Sequence, residues 1–214
     1  EIMLGIGGVR LLRRLGVEPS VFHMNEGHAA FLALELIREQ IAEGASFDEA
    51  LAGTRRQCLF TTHTPVPAGH DRFGHELMDH AVRHLYGQLS ISAKELLALG
   101  RVNPSDDSEE FCMTVLALKA ARAANGVSEL HGQVSREMWH SLYPEGTVGE
   151  VPIGHVTNGI HLAGWMKGPV RKFWRRKLGQ AEPAADWAEE LAKPEFWARM
   201  GDASFVSDEE LWAL

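Results

Sequence analysis

Three short polar runs hold the side chains best suited to chemistry: Asn25-Glu26-Gly27-His28, Thr61-Thr62-His63-Thr64 and Thr157-Asn158. Imidazole, carboxamide, hydroxyl and carboxylate groups offer planar or paired hydrogen-bonding edges. A sugar hydroxyl is both donor and acceptor, so a small pocket of such groups suits a hydroxylated ligand. No serine stands in a G-x-S-x-G context, so there is no obvious nucleophile. No metal ligands are expected. His23 and His28 bracket Glu26, but their spacing differs from the i, i+4 pair that shares one helical face in the zinc proteases. Residue type alone leaves a second reading open, in which His63 is a satisfied structural histidine.

The elements around these runs decide whether they can meet. Cys58-Leu59-Phe60 is a short apolar run and predicts a buried strand. Pro65, Pro67 and Gly69 follow, so the chain must turn there as an ordered loop. His63 then lies past the C-terminal end of a strand, where open α/β sheets bind ligands. Ser20–Met24 alternates and predicts another strand, and Val151–Thr157 a third. Helical spacing covers Glu1–Gly16, Ala29–Glu43, Gly74–Tyr86 and Ser92–Leu99, and a capping box at Ser46-Phe47-Asp48-Glu49 opens a helix to about Gln57. Gly5-Ile6-Gly7-Gly8 has too few residues before it for a phosphate loop and predicts close helix packing instead. Arg101–Glu109 is a polar loop. Glu110–Tyr143 is expected to be mostly helical, broken at Asn125-Gly126, with Val127, Leu130, Val134 and Met138 on one inward face. Arg171, Lys172, Arg175, Arg176 and Lys177 read as the solvated face of a short helix packed through Phe173, Trp174 and Leu178, with a phosphate-binding patch as the alternative. Pro183–Leu214 reads as an acidic, Trp-rich helical tail with a helix starting after Pro194. Strands separated by helices imply parallel pairing, which opens the three polar runs on one sheet edge.

The chain has 214 residues, 45% hydrophobic and 23% charged, enough for a domain with a real core. Its net charge of −8 disfavours nucleic acid or an anionic membrane as partner. No apolar run approaches a membrane span, and the first residues lack a signal peptide's basic flank. Cys58 and Cys112 lie in apolar surroundings and read as buried thiols of a reducing cytoplasm. The first residue is not Met, and a capping box at Ser207 opens a helix just before the chain stops. A piece of a longer polypeptide is therefore expected.

The segment Cys58–Phe73, CLFTTHTPVPAGHDRF, resembles the sugar-binding loop of α-glucan phosphorylases, and its PVPAGHD part is similar to their short, non-allosteric microbial branch. His23–His28, Asn125–His131 and Val156–Ile160 resemble further family segments in the same order, so the resemblance covers nearly the whole chain. It implies a Rossmann-like α/β domain of a GT-B glycosyltransferase, with parallel strands and many flanking helices. Residues 1–166 would be the C-terminal portion of the first domain and 167–214 a helical crossover. The implied reaction is phosphorolysis of α-1,4-glucan or maltooligosaccharide by inorganic phosphate, giving glucose 1-phosphate, in the cytoplasm and in a homo-oligomer. His63 and Asn158 would act at the glucosyl unit, Glu26 and His28 beside it, and Trp165 near pyridoxal phosphate. That cofactor's lysine and phosphate-binding groups are not found in this chain, so the chain alone is expected to be inactive and to retain no pyridoxal phosphate. Glu26 replaces the family's usual Asp, Val156 stands where many members have Lys, and Ala163-Gly164 replace two arginines of the larger enzymes. A nucleotide-sugar-dependent GT-B glycosyltransferase and a non-catalytic carbohydrate-binding fragment are the alternatives.

Overall fold

The structure, a computed structural model, describes residues 1–177, 193–202 and 204–213. They form two compact units, Glu1–Asn158 and Gly159–Leu214, whereas the sequence reading draws its boundary after residue 166. The first unit contains strands β1 (Phe22–Asn25), β2 (Cys58–Thr61), β3 (Arg72–Phe73), β4 (Phe111–Cys112), β5 (Ala123–Gly126) and β6 (Ile153–His155). Its helices are α1 (Ile6–Arg14), α2 (Leu32–Ala42), α3 (Phe47–Gln57), α4 (His75–Leu89), α5 (Ala93–Leu99), α6 (Met113–Ala120) and α7 (Glu129–Trp139). The main sheet has the order β1-β2-β5-β6 and is parallel throughout; β3 and β4 pair antiparallel as a small ribbon. This is a Rossmann-like α/β architecture.

The strand order advances in one direction, and each connection between parallel strands is a crossover. Right-handed crossovers that all step the same way must lie on the same side of the sheet. That face is the core: Phe22, Met24, Cys58, Phe60 and Ile153 point into it and are buried with Leu34, Ile37, Val115 and Leu116. The opposite face carries the exposed His23, Asn25 and Ala123 and the half-buried Leu59 and Asn125. Parallel sheets are usually covered on both faces; here one is open among the described residues.

Two expectations for Glu110–Tyr143 are corrected. The segment is not helix–break–helix: Asn125-Gly126 ends a fourth sheet strand, Ala123–Gly126. Alanine and asparagine have little strand preference, and pairing on both sides imposes the conformation. The inward face of α7 is also shifted by one position. His131, Gly132, Ser135 and Trp139 are buried while Leu130 is 70% exposed. A Cβ on Gly132 would sit 3.0 Å from the Gly154 carbonyl oxygen, so any side chain there would press α7 and β6 apart by a few tenths of an ångström.

The α1–α2 contact shows why the early glycines belong to a helix. A Cβ on Gly5 would lie 2.7 Å from the Leu32 nitrogen and 2.9 Å from Phe31. Further along, the fully buried Glu35 carboxylate accepts from Arg10 Nε and Nη2 (both 2.9 Å) and from Arg38 Nε and Nη2 (3.0 and 2.7 Å). Burial raises its pKa, but the hydrogen bonds to Arg10 and Arg38 outweigh that and hold it below the usual carboxylate range.

The second unit holds helices Leu162–Trp165, Gly168–Lys177, Pro194–Met200 and Asp208–Trp212. Phe173, Trp174 and Val206 form its small core, and Lys177 pairs with Glu210. Leu178, and residues 183–192 of the expected tail, lie outside the described residues. Among the described residues no helix is long and apolar enough to cross a membrane.

Two stability outcomes follow from α1 and α2. Gly5→Ala overpacks the contact and lowers urea-unfolding stability by about 1–3 kcal/mol. Glu35 has a lowered folded-state pKa, so its contribution is complete above the ordinary carboxylate range and disappears as pH falls through the lowered value. The stability curve of Glu35→Gln is therefore flatter on its acid side than that of the parent chain, in denaturant titrations at stepped pH.

Candidate functional site

The sheet register carries the polar groups to one place. Asn25, Thr61, Asn125 and Gly154 stand in a row across the four strands. Side chains alternate along a strand, so His23 and Asn25, Leu59 and Thr61, and Ala123 and Asn125 share the open face. Together with His63, Val127, Val156 and Asn158 they line a cavity of about 530 Å³.

A hydrogen-bonded row crosses its floor with a defined direction. The Gly126 carbonyl can only accept, so Asn125 Nδ2 donates to it at 3.0 Å and Oδ1 faces Thr61. Thr61 Oγ1 donates to that Oδ1 at 3.0 Å. Its one proton is thereby used, so His23 Nε2, 2.8 Å from the same oxygen, must be the donor. Three strands are thus joined side chain to side chain in a single sense.

The rim is built by the two loops after β1 and β2. Glu26 has φ +81° and ψ 167°, a conformation costly for any residue with a Cβ. In return its carboxylate reaches both loops. Oε1 accepts from the Gly27 nitrogen at 3.1 Å; Oε2 accepts from the His63 nitrogen at 2.7 Å and from Thr64 Oγ1 at 2.9 Å. The Glu26 nitrogen donates to the Thr61 carbonyl at 2.8 Å. Next to it, Asn25 Oδ1 accepts from His63 Nε2. With Nε2 protonated, Nδ1 is the acceptor that His63 keeps for another partner.

His63 and His70 divide the two readings of this loop. His70 is buried, with Nδ1 2.8 Å from Thr114 Oγ1, Nε2 3.2 Å from Met138 Sδ and its ring edge-on to Trp139 at 4.9 Å. Burial holds its pKa below the usual histidine range. It is the structural histidine that anchors the loop, and it leaves His63 exposed at the cavity.

The structure therefore brings His63 and Asn158 to one cavity, the latter with its backbone nitrogen fixed to the Val127 carbonyl at 3.0 Å. It does not bring Glu26 or His28 into the lining. Glu26 is occupied by the loop it holds. His28 Nδ1 lies 2.9 Å from Asp71 Oδ2, and both stand near Glu1, the three offering donor atoms within 4.8 Å of one another. This exposed group is the one cluster of three potential metal ligands among the described residues, and such surface groups are common without an ion. Trp165 belongs to the second unit and is 83% exposed. His23 and His155 also line the cavity without having been singled out for it, together with Thr61 of the second polar run and Asn125 of the segment Asn125–His131. Counting back by two from Asn25 would have found His23; Asn125 was hidden by the unrecognised strand.

Two further features limit the site's chemistry. The lining contains no lysine and no arginine. It offers no amine for an imine and no permanent cation for a phosphate, so these residues do not form a pyridoxal phosphate site. A second concavity of about 620 Å³, near α1 and α2, is lined by charged groups already paired with one another, Arg13 with Glu39 and Arg38 with Glu35.

No protein-family model matches the chain. It is 38% identical to a maltodextrin phosphorylase of Thermococcus litoralis over 99% of this chain and 24% of that protein. It is 41% identical to a glycogen phosphorylase of Mycobacterium tuberculosis, again over 99% of this chain and 24% of the relative. A glycogen phosphorylase of Aquifex aeolicus is 34% identical over 99% of this chain and 29% of its own length. The chain thus spans about a quarter of the length of these curated relatives.

Replacing Glu26 by Gln removes one acceptor oxygen from the clamp. The loss is about 1.5–3 kcal/mol of local stability, the range for hydrogen bonds to a charged group, and native-state hydrogen exchange reads it as faster exchange at the His63 amide. Unchanged exchange there would mean that the carboxylate does not hold the loop.

Proposed function

We propose that this chain, which belongs to the α-glucan phosphorylase family, supplies the glucosyl-gripping rim of an enzyme that moves glucosyl units from α-1,4-glucan ends to inorganic phosphate, giving glucose 1-phosphate. The observation that carries the reading is the convergence of His63 and Asn158, from loops far apart in sequence, on one cavity. In this reading the free His63 Nδ1 accepts a hydrogen bond from a glucose hydroxyl, and the Asn158 carboxamide holds a second hydroxyl by a paired contact. Glu26 and His28, expected to touch the sugar, act at one remove: Glu26 fixes the His63 loop, and His28 fixes the neighbouring Asp71 segment.

Phosphorolysis in this family implies pyridoxal phosphate. The chain's own residues offer the sugar side of the reaction, and the amine and phosphate grip would come from outside the cavity described. We assign the chain to the C-terminal portion of the first Rossmann-like domain of a GT-B enzyme, with Trp165 directed to the cofactor in the complete protein. The open sheet face supports this assignment, because a doubly wound sheet needs crossovers of the opposite step to cover it. Cytoplasmic location and homo-oligomeric assembly complete the reading.

A full-length polypeptide carrying this chain, given maltooligosaccharide, inorganic phosphate and saturating pyridoxal phosphate, yields glucose 1-phosphate. No product would remove the reading. The sugar contact is tested separately on the 214-residue chain by NMR titration with maltooligosaccharide. Signals of His63 and Asn158 move, and His63→Ala weakens binding by roughly tenfold to a hundredfold, as the loss of one well-made hydrogen bond requires.

A further inference from the structure

Helix α4, His75–Leu89, is amphipathic in a strict sense. Met78, Val82, Leu85 and Leu89 are buried along one stripe. His80 and His84 are both exposed. Each lies two residues beyond a buried position, about 200° around the helix from it, and so faces solvent. The two are four apart, which places their side chains one above the other with Cβ atoms roughly 5–6 Å apart. Among the described residues, no hydrogen bond or ion pair engages either ring. The proposed glucosyl site uses neither.

We propose that His80 and His84 form a surface site for a borderline divalent transition ion such as Zn²⁺, Ni²⁺ or Cu²⁺. Imidazole nitrogen is a preferred ligand for these ions, and a pair at i, i+4 on one helical face is the spacing that metalloprotease helices use to hold zinc. The helix supplies two ligands already aligned, so the second imidazole binds as an intramolecular partner at high effective concentration. Water completes the coordination, as expected for an exposed ion. Glu76, one turn earlier on the same face, favours a cation; Arg83, next to His84, opposes it, and Asp79, next to His80, accepts from Tyr86 at 3.2 Å. Copper binds tightest by the general order for such donors. The site differs from the Glu1–His28–Asp71 group, where the histidine nitrogen is already joined to a carboxylate.

Calorimetric titration of the untagged 214-residue chain with Zn²⁺ tests this. His80→Ala and His84→Ala each weaken one class of site by roughly tenfold or more, since either change turns a chelate into a single ligand. The double variant binds one equivalent fewer than the parent chain, and His28→Ala leaves that equivalent in place. Both side chains are exposed, so the variants keep the parent melting temperature in the presence of chelator. An unchanged isotherm in the double variant overturns the proposal, as does loss of the same equivalent in His28→Ala.

Discussion

Four short strands run the same way in fixed register, and the candidate site depends on that more than on any single residue. A parallel register aligns Asn25, Thr61 and Asn125 at the same height on one face. A shift of one residue in β2 would turn Thr61 into the core and bring Phe60 to the open side. The buried positions of the opposite face, Met24, Cys58 and Phe60, hold the register because each would have to leave the core for the strand to slip. Polar groups on the open face are thus placed by apolar groups on the hidden one.

The direction of winding has a second effect. Because the strands advance from β1 to β6 without reversing, all crossovers stack on the core side. The cavity is therefore bounded by loops and by the sheet face itself. Its floor is a row of side chains whose hydrogen bonds share one sense, set by a backbone carbonyl at Gly126. A row of this kind resists rotation of any one member, since turning Thr61 would leave either His23 or Asn125 without its partner.

Much of this was readable in the residues. The Cys58 strand, the loop that follows it and the parallel order came from an apolar run, two prolines and alternating helices. The capping boxes at Ser46 and Ser207 are both present, because they are local geometry and need no distant partner. The strand at Ala123–Gly126 was not readable, since its residues are poor strand formers and only its two neighbours make it extended. The inward face of α7 was misjudged for a related reason: close packing on β6 selects the small Gly132 over the larger Leu130. Glu26 shows the remaining limit. Its residue type signals an acidic group near a sugar, but only the fold shows both oxygens engaged with the neighbouring loop and the backbone held at positive φ.

The two thiols lie in different parts of the core. Cys58 begins the central strand β2, where burial pushes it up to about 12, and Cys112 sits in the small ribbon, also raised by burial. Only a thiolate attacks an alkylating reagent, so both sulfurs are protected while the core that buries them stays closed. The rate at which each is modified therefore counts openings of the one core they share, read at two places, the sheet and the ribbon.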